Sequence, residues 1–285
     1  MERTAAFLPS SLSMAPRDAT GTETPDFLKL LGHDLRWRIL RLLAGSDLRV
    51  AELVQGTNQP QNLVSYHLQK LRAERLVREH RSIADGREVY YSLDVDRLKQ
   101  LYSASGEALH PALVSIPAKD SDGLGTPGED RSPVAQEFGS GEPVRVLFLC
   151  THNSARSQMA EGLLRNRSNP GIQVFSAGTE PSRVNPLAVR AMREMAIDIS
   201  RHQSKGLDQF LDQHFDYIIT VCDRARESCP VFPGDPVRIH WSFPDPSAVE
   251  GSDDERYRAF RETSIQLNTR IGYLLLMIRR EQGGG

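Results

Sequence analysis

The sequence predicts two domains of different class. A small, mainly helical domain with one β-hairpin is followed by an α/β domain with a parallel sheet. Apolar residues recur at helical spacing in the first hundred residues, and an Asp-Gly pair there separates two alternating segments. In the second half, continuous apolar runs end at cysteines, as expected of buried parallel strands.

Composition divides the chain of 285 residues into four parts. Residues 1–24 are rich in Ser, Thr, Pro and Ala without periodicity, which predicts a disordered arm. Residues 25–102 are periodic and form the first domain. Gly, Pro, Ser and Asp interrupt residues 103–142, which predicts a flexible linker before the second domain at 143–281.

Charge and cysteine content narrow the class of protein. Residues 25–100 carry 13 basic and 10 acidic residues, whereas the whole chain has a net charge of −2. This modest asymmetry favours a nucleic-acid partner for the first domain. No apolar run approaches the roughly 20 residues that span a bilayer, and the N-terminus lacks a secretory pattern. Three cysteines, an odd number, favour catalytic, redox or metal-binding roles over a disulfide framework, and we expect a cytoplasmic protein.

The first domain has the pattern of a winged helix-turn-helix. Leucine and isoleucine recur at helical spacing over residues 28–43, and Asp47–Gln55 predicts a short second helix. After a tight turn, Asn62–Arg75 predicts the recognition helix, with Leu63, Val64, Leu68 and Leu71 on its apolar face. Alternating residues 76–80 and 88–93 flank Asp85-Gly86 and predict the hairpin that forms the wing.

The other face of the recognition helix carries side chains that can read base edges or hold phosphates. They are Gln61, Asn62, Ser65, Tyr66, His67, Gln69 and Lys70. Arg81 and Arg87 flank the hairpin and suit backbone phosphates. A solvated polar helix in any small helical domain would look similar, but the added wing favours DNA binding.

The stretches LLGHDLRWRILRLL, LVSYHLQKLRAERLV and GREVYYSL resemble the ArsR family of winged-helix repressors. The resemblance implies a homodimer that leaves operator DNA when it binds a metal or metalloid. The second helix lacks the cysteines of the arsenite-sensing members, so the soft-ligand route to arsenite is missing here. Hard ligands at Asp94, Asp96, Glu107 and His110 are an alternative, but a solvated charged face is the simpler interpretation, and we predict no metal.

In the second domain, an apolar strand at 144–149 ends at Cys150 and a helix follows from Gln158. Backbone N–H groups of such a loop, with the helix dipole, bind tetrahedral oxyanions. We therefore expect Arg156 to clamp the anion and the pKa of the Cys150 thiol to be lowered, so that it acts as a nucleophile. The alternative is a buried structural cysteine with a surface arginine. The predicted oxyanion-binding loop comprises Thr151, His152, Asn153, Ser154, Ala155, Arg156 and Ser157.

The two other cysteines indicate which chemistry follows. Cys222 ends a second apolar strand at 216–221, and Cys229 lies seven positions later in a polar segment that we expect to be mobile. A disulfide relay needs such an exchangeable pair. Two unpaired thiols, or a zinc site, are the alternatives. Asp245, in an Asp-Pro pair, is a candidate general acid, whereas His202 and His240 have no evident partners and are assigned structural roles.

The motifs CTHNSARSQMAEG, FSAGTEP, NPLAVRAM, IDIS, TVCDRARESCP and HWSFPDP resemble thioredoxin-coupled arsenate reductases built on the low-molecular-weight tyrosine phosphatase fold. The resemblance implies that Cys150 attacks arsenate while Asp245 assists departure of an oxygen. Cys222 then attacks Cys150, and Cys229 attacks Cys222. The resulting disulfide is left for thioredoxin or a similar reductant, with no bound cofactor.

Some members of that family bind potassium through an Asn, a Glu, a Ser and an Asp. Asn153, Glu161 and Ser176 match the first three, and Lys205 takes the fourth position. An ammonium group there replaces the cation, so we predict no potassium dependence.

Two further functions remain open. A protein tyrosine phosphatase of the same fold would need neither Cys222 nor Cys229, and aromatic residues often follow its Asp-Pro, whereas Ser247 follows here. A non-catalytic sensor of oxyanion or redox state would instead control DNA binding. The long linker argues against rigid coupling between the domains.

Overall fold

The computed structural model describes residues 24–82, 86–110, 142–168 and 170–282. All but the last residue of the predicted arm at 1–24, and most of the predicted linker, lie outside these residues, as does Asp85 at the hairpin tip. Within the described ranges, no helix is long and apolar enough to cross a membrane.

The first domain contains five helices and a small sheet among its described residues. The helices are α1 (Asp26–Leu31), α2 (Asp34–Gly45), α3 (Val50–Thr57), α4 (Gln61–Ala73) and α5 (Val95–Leu109). Strands β1 (Leu48–Arg49), β2 (Val77–Arg81) and β3 (Val89–Leu93) pair antiparallel in the order β1-β3-β2. The pairing of Arg81 with Val89 confirms the hairpin expected for the wing.

The recognition helix α4 buries three of the four residues predicted on its apolar face, and differs from the prediction at two positions. Val64, His67, Leu68 and Leu71 are buried, at the i, i+3, i+4, i+7 spacing of a single helical stripe. Leu63, predicted on the apolar face, is 37% exposed. His67, predicted to reach DNA, is 4% exposed and its ring lies 4.3 Å from that of His33. The prediction was wrong at Leu63 and His67, because the buried stripe takes a histidine in place of a leucine.

The boundary with the linker also differs from the prediction. Helix α5 continues to Leu109, seven residues into the stretch assigned to the linker. Asp94 caps this helix by accepting a hydrogen bond from the Arg97 N–H. The periodicity of α5 is weak, since Ser105 is its one buried residue among those described.

The second domain is an α/β layer structure. Strands β4 (Val144–Cys150), β5 (Ile172–Gly178), β6 (Tyr217–Thr220) and β7 (Val237–His240) form a parallel sheet in the order β5-β4-β6-β7. Its helices are α6 (Arg156–Arg167), α7 (Pro186–Glu194), α8 (Asp223–Glu227) and α9 (Asp253–Gln282). Helix α8 lies in the segment between Cys222 and Cys229 that was expected to be mobile.

Alternation along the central strand β4 builds two cores. Val146, Phe148 and Cys150 face the larger cluster, which includes residues of α6, α7 and α9. Leu147 and Leu149 face the opposite cluster, which is rich in phenylalanine. Successive side chains of a strand point to opposite faces, so a strand buried on both sides has the continuous apolar sequence seen here. Cys150 therefore leaves the sheet on the face covered by α6.

The two domains contact each other directly, through a set of residues that we call the docking surface. Asp47, between α2 and β1, is fully buried and accepts hydrogen bonds from the Arg270 guanidinium (2.9 Å) and the Ser242 N–H (2.8 Å). Its own N–H donates to the His240 carbonyl at 2.8 Å. The docking surface comprises Ser46, Asp47, Glu52, His80 and Tyr90 of the first domain and Asp223, Arg226, His240, Ser242 and Arg270 of the second.

Candidate active site

The loop between β4 and α6 wraps around the sulfur of Cys150. The Asn153 N–H donates to Cys150 Sγ at 3.0 Å, and Ser157 Oγ lies 2.8 Å from the same sulfur. Asn153 adopts φ +46°, a left-handed conformation that asparagine tolerates better than most residues. This turn brings the loop back over the thiol just before α6 begins at Arg156.

A second segment holds the outer side of the loop. The N–H groups of Glu180, Ser182 and Asn185 donate to the carbonyls of Thr151, His152 and Ser154, at 2.8, 3.0 and 2.8 Å. Three carbonyls of the loop are thus bonded on its outer side, while the Asn153 N–H points inward at Cys150 Sγ. Inward N–H groups are what an oxyanion site requires. No motif within residues 180–185 points to this role, and the sequence analysis missed it.

The loop also packs very closely on the end of β5. A Cβ at Gly178 would lie 2.7 Å from the Thr151 carbonyl oxygen and 2.8 Å from the Asn153 nitrogen. Real side chains do not approach backbone atoms so closely. A glycine at this position therefore allows the anion loop to cross the end of the neighbouring strand.

Arg156 is buried, and its guanidinium bonds to two groups of the segment around Asp245. Its guanidinium donates to Asp245 Oδ2 at 2.9 Å and to the Phe243 carbonyl at 2.8 Å. The structure thus brings the predicted general acid to the predicted clamp, although 89 residues separate them in sequence. The ion pair holds the Asp245 carboxylate at the rim of a cleft that Thr151, His152 and Cys222 also line.

Cys222 lies beside the Cys150 loop because β4 and β6 are neighbours. Leu149 pairs with Thr220 across these strands, so both chains leave the sheet at the same edge. Cys222 Sγ lies 3.5 Å from Thr151 Oγ1 and caps α8 by accepting from the Ala225 N–H at 3.4 Å. All three cysteines are free, with Cys150 and Cys222 buried and Cys229 half-buried.

The expected lowering of the Cys150 pKa was wrong. Burial raises the pKa of this thiol, and the nearby Cys222 adds to the effect. The hydrogen bond with Ser157 and the charge of Arg156 act in the opposite direction but do not prevail. A buried sulfur loses the solvation that stabilises a thiolate, and the guanidinium that would compensate is paired with Asp245. Burial also raises the pKa of Cys229, against the opposing charge of Arg238.

A polar network supports the loop from behind. Asn153 donates to Ser157 Oγ and Ser176 Oγ at 2.9 and 2.8 Å, which fixes the orientation of its side chain. Ser176 in turn donates to Glu161, whose carboxylate is 3% exposed and accepts from the Lys205 ammonium at 3.1 Å. Lys205 therefore contacts Glu161, as expected if its ammonium takes the place of a potassium ion. Its positive charge offsets that of the buried carboxylate.

Two histidines without evident partners in the sequence have them in the fold. His202 Nδ1 lies 2.9 Å from Gln158 Oε1. His240 lies between Thr220 Oγ1 at 2.8 Å and Asp223 Oδ1 at 3.1 Å. These partners lie in separate elements, so no spacing in the sequence indicated them.

The residues predicted to contact DNA lie in two places, on α4 and beside the wing. The side chains of Gln61, Asn62, Ser65, Tyr66, Gln69 and Lys70 are exposed on α4, and only His67 is withdrawn. Lys70 lies over the Tyr66 ring, 5.5 Å from its centroid. Arg81 and Arg87 are exposed beside the wing, where Arg81 donates to the Gly86 carbonyl at 3.2 Å. Among the described residues, no group of acidic, histidine or cysteine side chains has the arrangement of a metal site.

Comparison with known proteins agrees with this geometry. The model of the low molecular weight phosphotyrosine protein phosphatase family matches residues 145–283, and that of the arsR family of bacterial regulatory proteins matches residues 33–79. The arsenate reductase of Halalkalibacterium halodurans is 44% identical over 126 residues, which cover 44% of this chain and 91% of that protein.

Two further relatives extend the comparison. The arsenate reductase of Bacillus subtilis is 38% identical over 126 residues, again 44% of this chain and 91% of that protein. A solved structure described as an arsenate reductase in oxidized state is 31% identical, covers 47% of this chain and 98% of that one, and has a TM-score of 0.42. The chain therefore belongs to the arsenate reductase family of the low-molecular-weight phosphatase fold, and carries an arsR-family helix-turn-helix domain ahead of it.

Proposed function

We propose that the second domain reduces arsenate to arsenite by a thiol relay through Cys150, Cys222 and Cys229. The observation that carries the proposal is the meeting of an anion loop and a second buried thiol at one edge of the sheet. The arsenate reductase relatives give the substrate class. A phosphatase of this fold would need the loop but no second thiol.

In the first step, Cys150 Sγ attacks arsenic and an arsenate oxygen leaves as water. The loop N–H groups and Arg156 hold the anion, so the Arg156–Asp245 pair opens or shares the guanidinium when arsenate binds. Asp245 then lies at the rim where the departing oxygen needs a proton. Because burial favours the protonated thiol, the Cys150 proton leaves as the anion binds and is available to the same oxygen.

Reduction takes place in the second step. Cys222 attacks Cys150 Sγ, and the electron pair of the sulfur–arsenic bond remains on arsenic, which leaves as arsenite. Cys229 then attacks Cys222 and frees Cys150. In total, two thiols lose two electrons and two protons, and arsenate loses one oxygen as water. A thioredoxin-type dithiol restores the pair, and such chemistry fits a reducing cytoplasm.

We further propose that the first domain binds operator DNA as a homodimer, through the exposed face of α4 and the arginines beside the wing. The arsR-family match supports the DNA-binding class. The protein would then be both regulator and enzyme, with arsenate, DNA and a dithiol reductant as its partners.

The test of the enzymatic proposal is arsenate-dependent NADPH oxidation with thioredoxin and its reductase. We expect activity in the wild type, and its loss in both Cys150→Ser and Cys229→Ser. Activity that survives in Cys229→Ser would contradict the relay. Hydrolysis of an aryl phosphate without arsenate turnover would instead identify a phosphatase, and binding of arsenate without either reaction would identify a sensor.

A further inference from the structure

Helix α8 connects the two cysteines Cys222 and Cys229 to the docking surface. Its ends adjoin the two relay cysteines, because Cys222 is its N-cap and Cys229 lies two residues beyond Glu227. Its side chains belong to the docking surface that holds the winged-helix domain. Arg226 is the main link: its guanidinium donates to the Asp47 carbonyl at 2.9 Å and pairs with Glu52.

Other contacts tie the same helix to the first domain. The Arg226 guanidinium lies 5.1 Å from the centre of the Tyr90 ring. Asp223 is 4% exposed and accepts from the Ser242 hydroxyl, which also contacts His80 of strand β2. A buried charge is tolerated only when it is paired, so the buried Asp223 depends on α8 keeping its present position. The half-buried Arg226 would lose its bond to the Asp47 carbonyl and its pairing with Glu52 if the helix moved.

A disulfide between Cys222 and Cys229 is incompatible with that position. Backbone bonds of helical type run from the Arg226, Ser228 and Cys229 N–H groups to carbonyls three or four residues earlier. At about 1.5 Å per residue, seven helical steps separate the two Cα atoms by roughly 10 Å. A disulfide needs at most about 6.8 Å between Cα atoms, so the helix must unwind for the bond to form.

Unwinding also removes the N-cap. In the reduced protein Cys222 Sγ accepts from the Ala225 N–H, and an oxidised sulfur bonded to Cys229 is drawn away from that position. Asp223 and Arg226, which lie between the two sulfurs, then turn away from Ser242 and Glu52. The partners left behind on the docking surface, Ser242 and Glu52, are half-buried polar groups that lose a hydrogen bond or an ion pair, which is costly.

We propose that the docking surface is a redox-controlled interface: the winged-helix domain is docked on α8 while Cys222 and Cys229 are thiols, and is released when they form a disulfide. The inference rests on the proposed function, since that disulfide is the product of the relay. In turnover the two electrons go to arsenate, and in a dithiol buffer they go to the oxidised buffer disulfide, which takes up two electrons and two protons.

Linkage makes the effect reciprocal. If oxidation opposes docking, then docking opposes oxidation to the same extent. A variant that weakens the docking surface therefore forms the disulfide more readily, although the substitution lies in the DNA-binding domain. If docking were independent of the redox state of Cys222 and Cys229, the variant would show no shift in the equilibrium constant for oxidation.

The experiment uses the full chain in a Cys150→Ser background, in which only Cys222 and Cys229 can pair. The protein is equilibrated in buffers of reduced and oxidised dithiothreitol, and the 222–229 bond is followed by mass spectrometry. Amide hydrogen exchange of Asp47, whose N–H donates to the His240 carbonyl across the interface, reports docking. We expect exchange at least about tenfold faster in the oxidised protein, as for a locally opened contact.

Two variants in the first domain test the reciprocal effect. Asp47→Asn and Glu52→Gln each remove one charge from the docking surface, and we expect the equilibrium constant for oxidation to rise about fivefold or more. Glu74→Gln makes the same chemical change at an exposed position of that domain and serves as the control. Glu52→Gln keeps the test decisive if the buried Asp47→Asn change impairs folding.

The outcomes separate the two proposals. A disulfide that forms while Asp47 exchange stays slow, with equal oxidation constants in wild type and Glu52→Gln, overturns the redox-controlled interface and leaves the relay standing. A 222–229 disulfide that does not form in any buffer overturns both.

Discussion

Lys205 offers a sharp test of how the anion loop is supported. Its ammonium lies 3.1 Å from Glu161 Oε2, and Glu161 is 3% exposed on its side chain. Hydrogen bonds to a charged group contribute about 1.5–3 kcal/mol. Lys205 is 27% exposed and Arg165 also pairs with Glu161, so solvent and the second cation reduce that figure. We expect Lys205→Ala to cost about 1–2 kcal/mol of unfolding free energy.

The assay is thermal unfolding in potassium chloride and in sodium chloride at equal ionic strength. For a domain of this size the loss corresponds to a melting temperature about 2–8 °C lower. Potassium should restore part of the loss in Lys205→Ala, because the vacated position adjoins the Glu161 carboxylate and the Gln203 carbonyl oxygen, and should leave the wild type unchanged. Lys99→Ala, at an exposed site in α5, is the control and should change stability by less than about 0.5 kcal/mol. A wild type that potassium stabilises as strongly as the variant would refute the reasoning.

Three other predictions concern the anion loop, the Cys150 thiol and His240 of the docking surface. Gly178→Ala should reduce kcat by at least about tenfold, since a Cβ there meets the Thr151 carbonyl at 2.7 Å; wild-type kinetics would contradict this close packing. The Cys150 thiol should titrate above the range of an exposed cysteine, because burial raises its pKa. The pKa is measured by titrating the difference in thiolate absorbance between the wild type and Cys150→Ser. A titration midpoint below neutrality would contradict the prediction. Unfolding free energy should fall as the pH drops below about 6.5, because burial lowers the pKa of His240 and the folded state resists a proton that the unfolded state accepts. Urea titrations across this range test it, with His240→Asn as the variant in which the dependence should weaken.

Asp223 acts in the same direction. Burial alone would raise the pKa of this carboxyl, but hydrogen bonds with His240, His80 and Ser242 outweigh it and hold the pKa far below its usual range. A lowered carboxyl pKa contributes stability above its unfolded value, and that stability is lost as the pH falls toward the folded one. The docking surface is therefore strongest at neutral pH and above.

The elements with strong local signals were predictable from the sequence. The apolar run before Cys150 predicted a buried strand, and the parallel pairing of β4 with β5 and β6 confirms it. The hairpin of the wing was equally well marked by Asp-Gly between alternating strands. The inward face of α4 was predicted at Val64, Leu68 and Leu71 but not at its fourth position, because that position holds His67, a polar residue, while the apolar Leu63 is exposed.

What the sequence by itself determined is local: a cysteine between an apolar strand and a helix, a helix-turn-helix with a wing, and the three cysteines from which a relay is proposed. Only the tertiary structure decided the direction of the Cys150 pKa, because desolvation depends on every atom packed around the sulfur. It also decided that the domains touch, although a long linker argued against rigid coupling. Arg270 meets Asp47 across 223 residues, and no periodicity or motif encodes a contact at that distance. Burial and long-range charge pairing depend on how whole elements come together, so they become visible only in the folded chain.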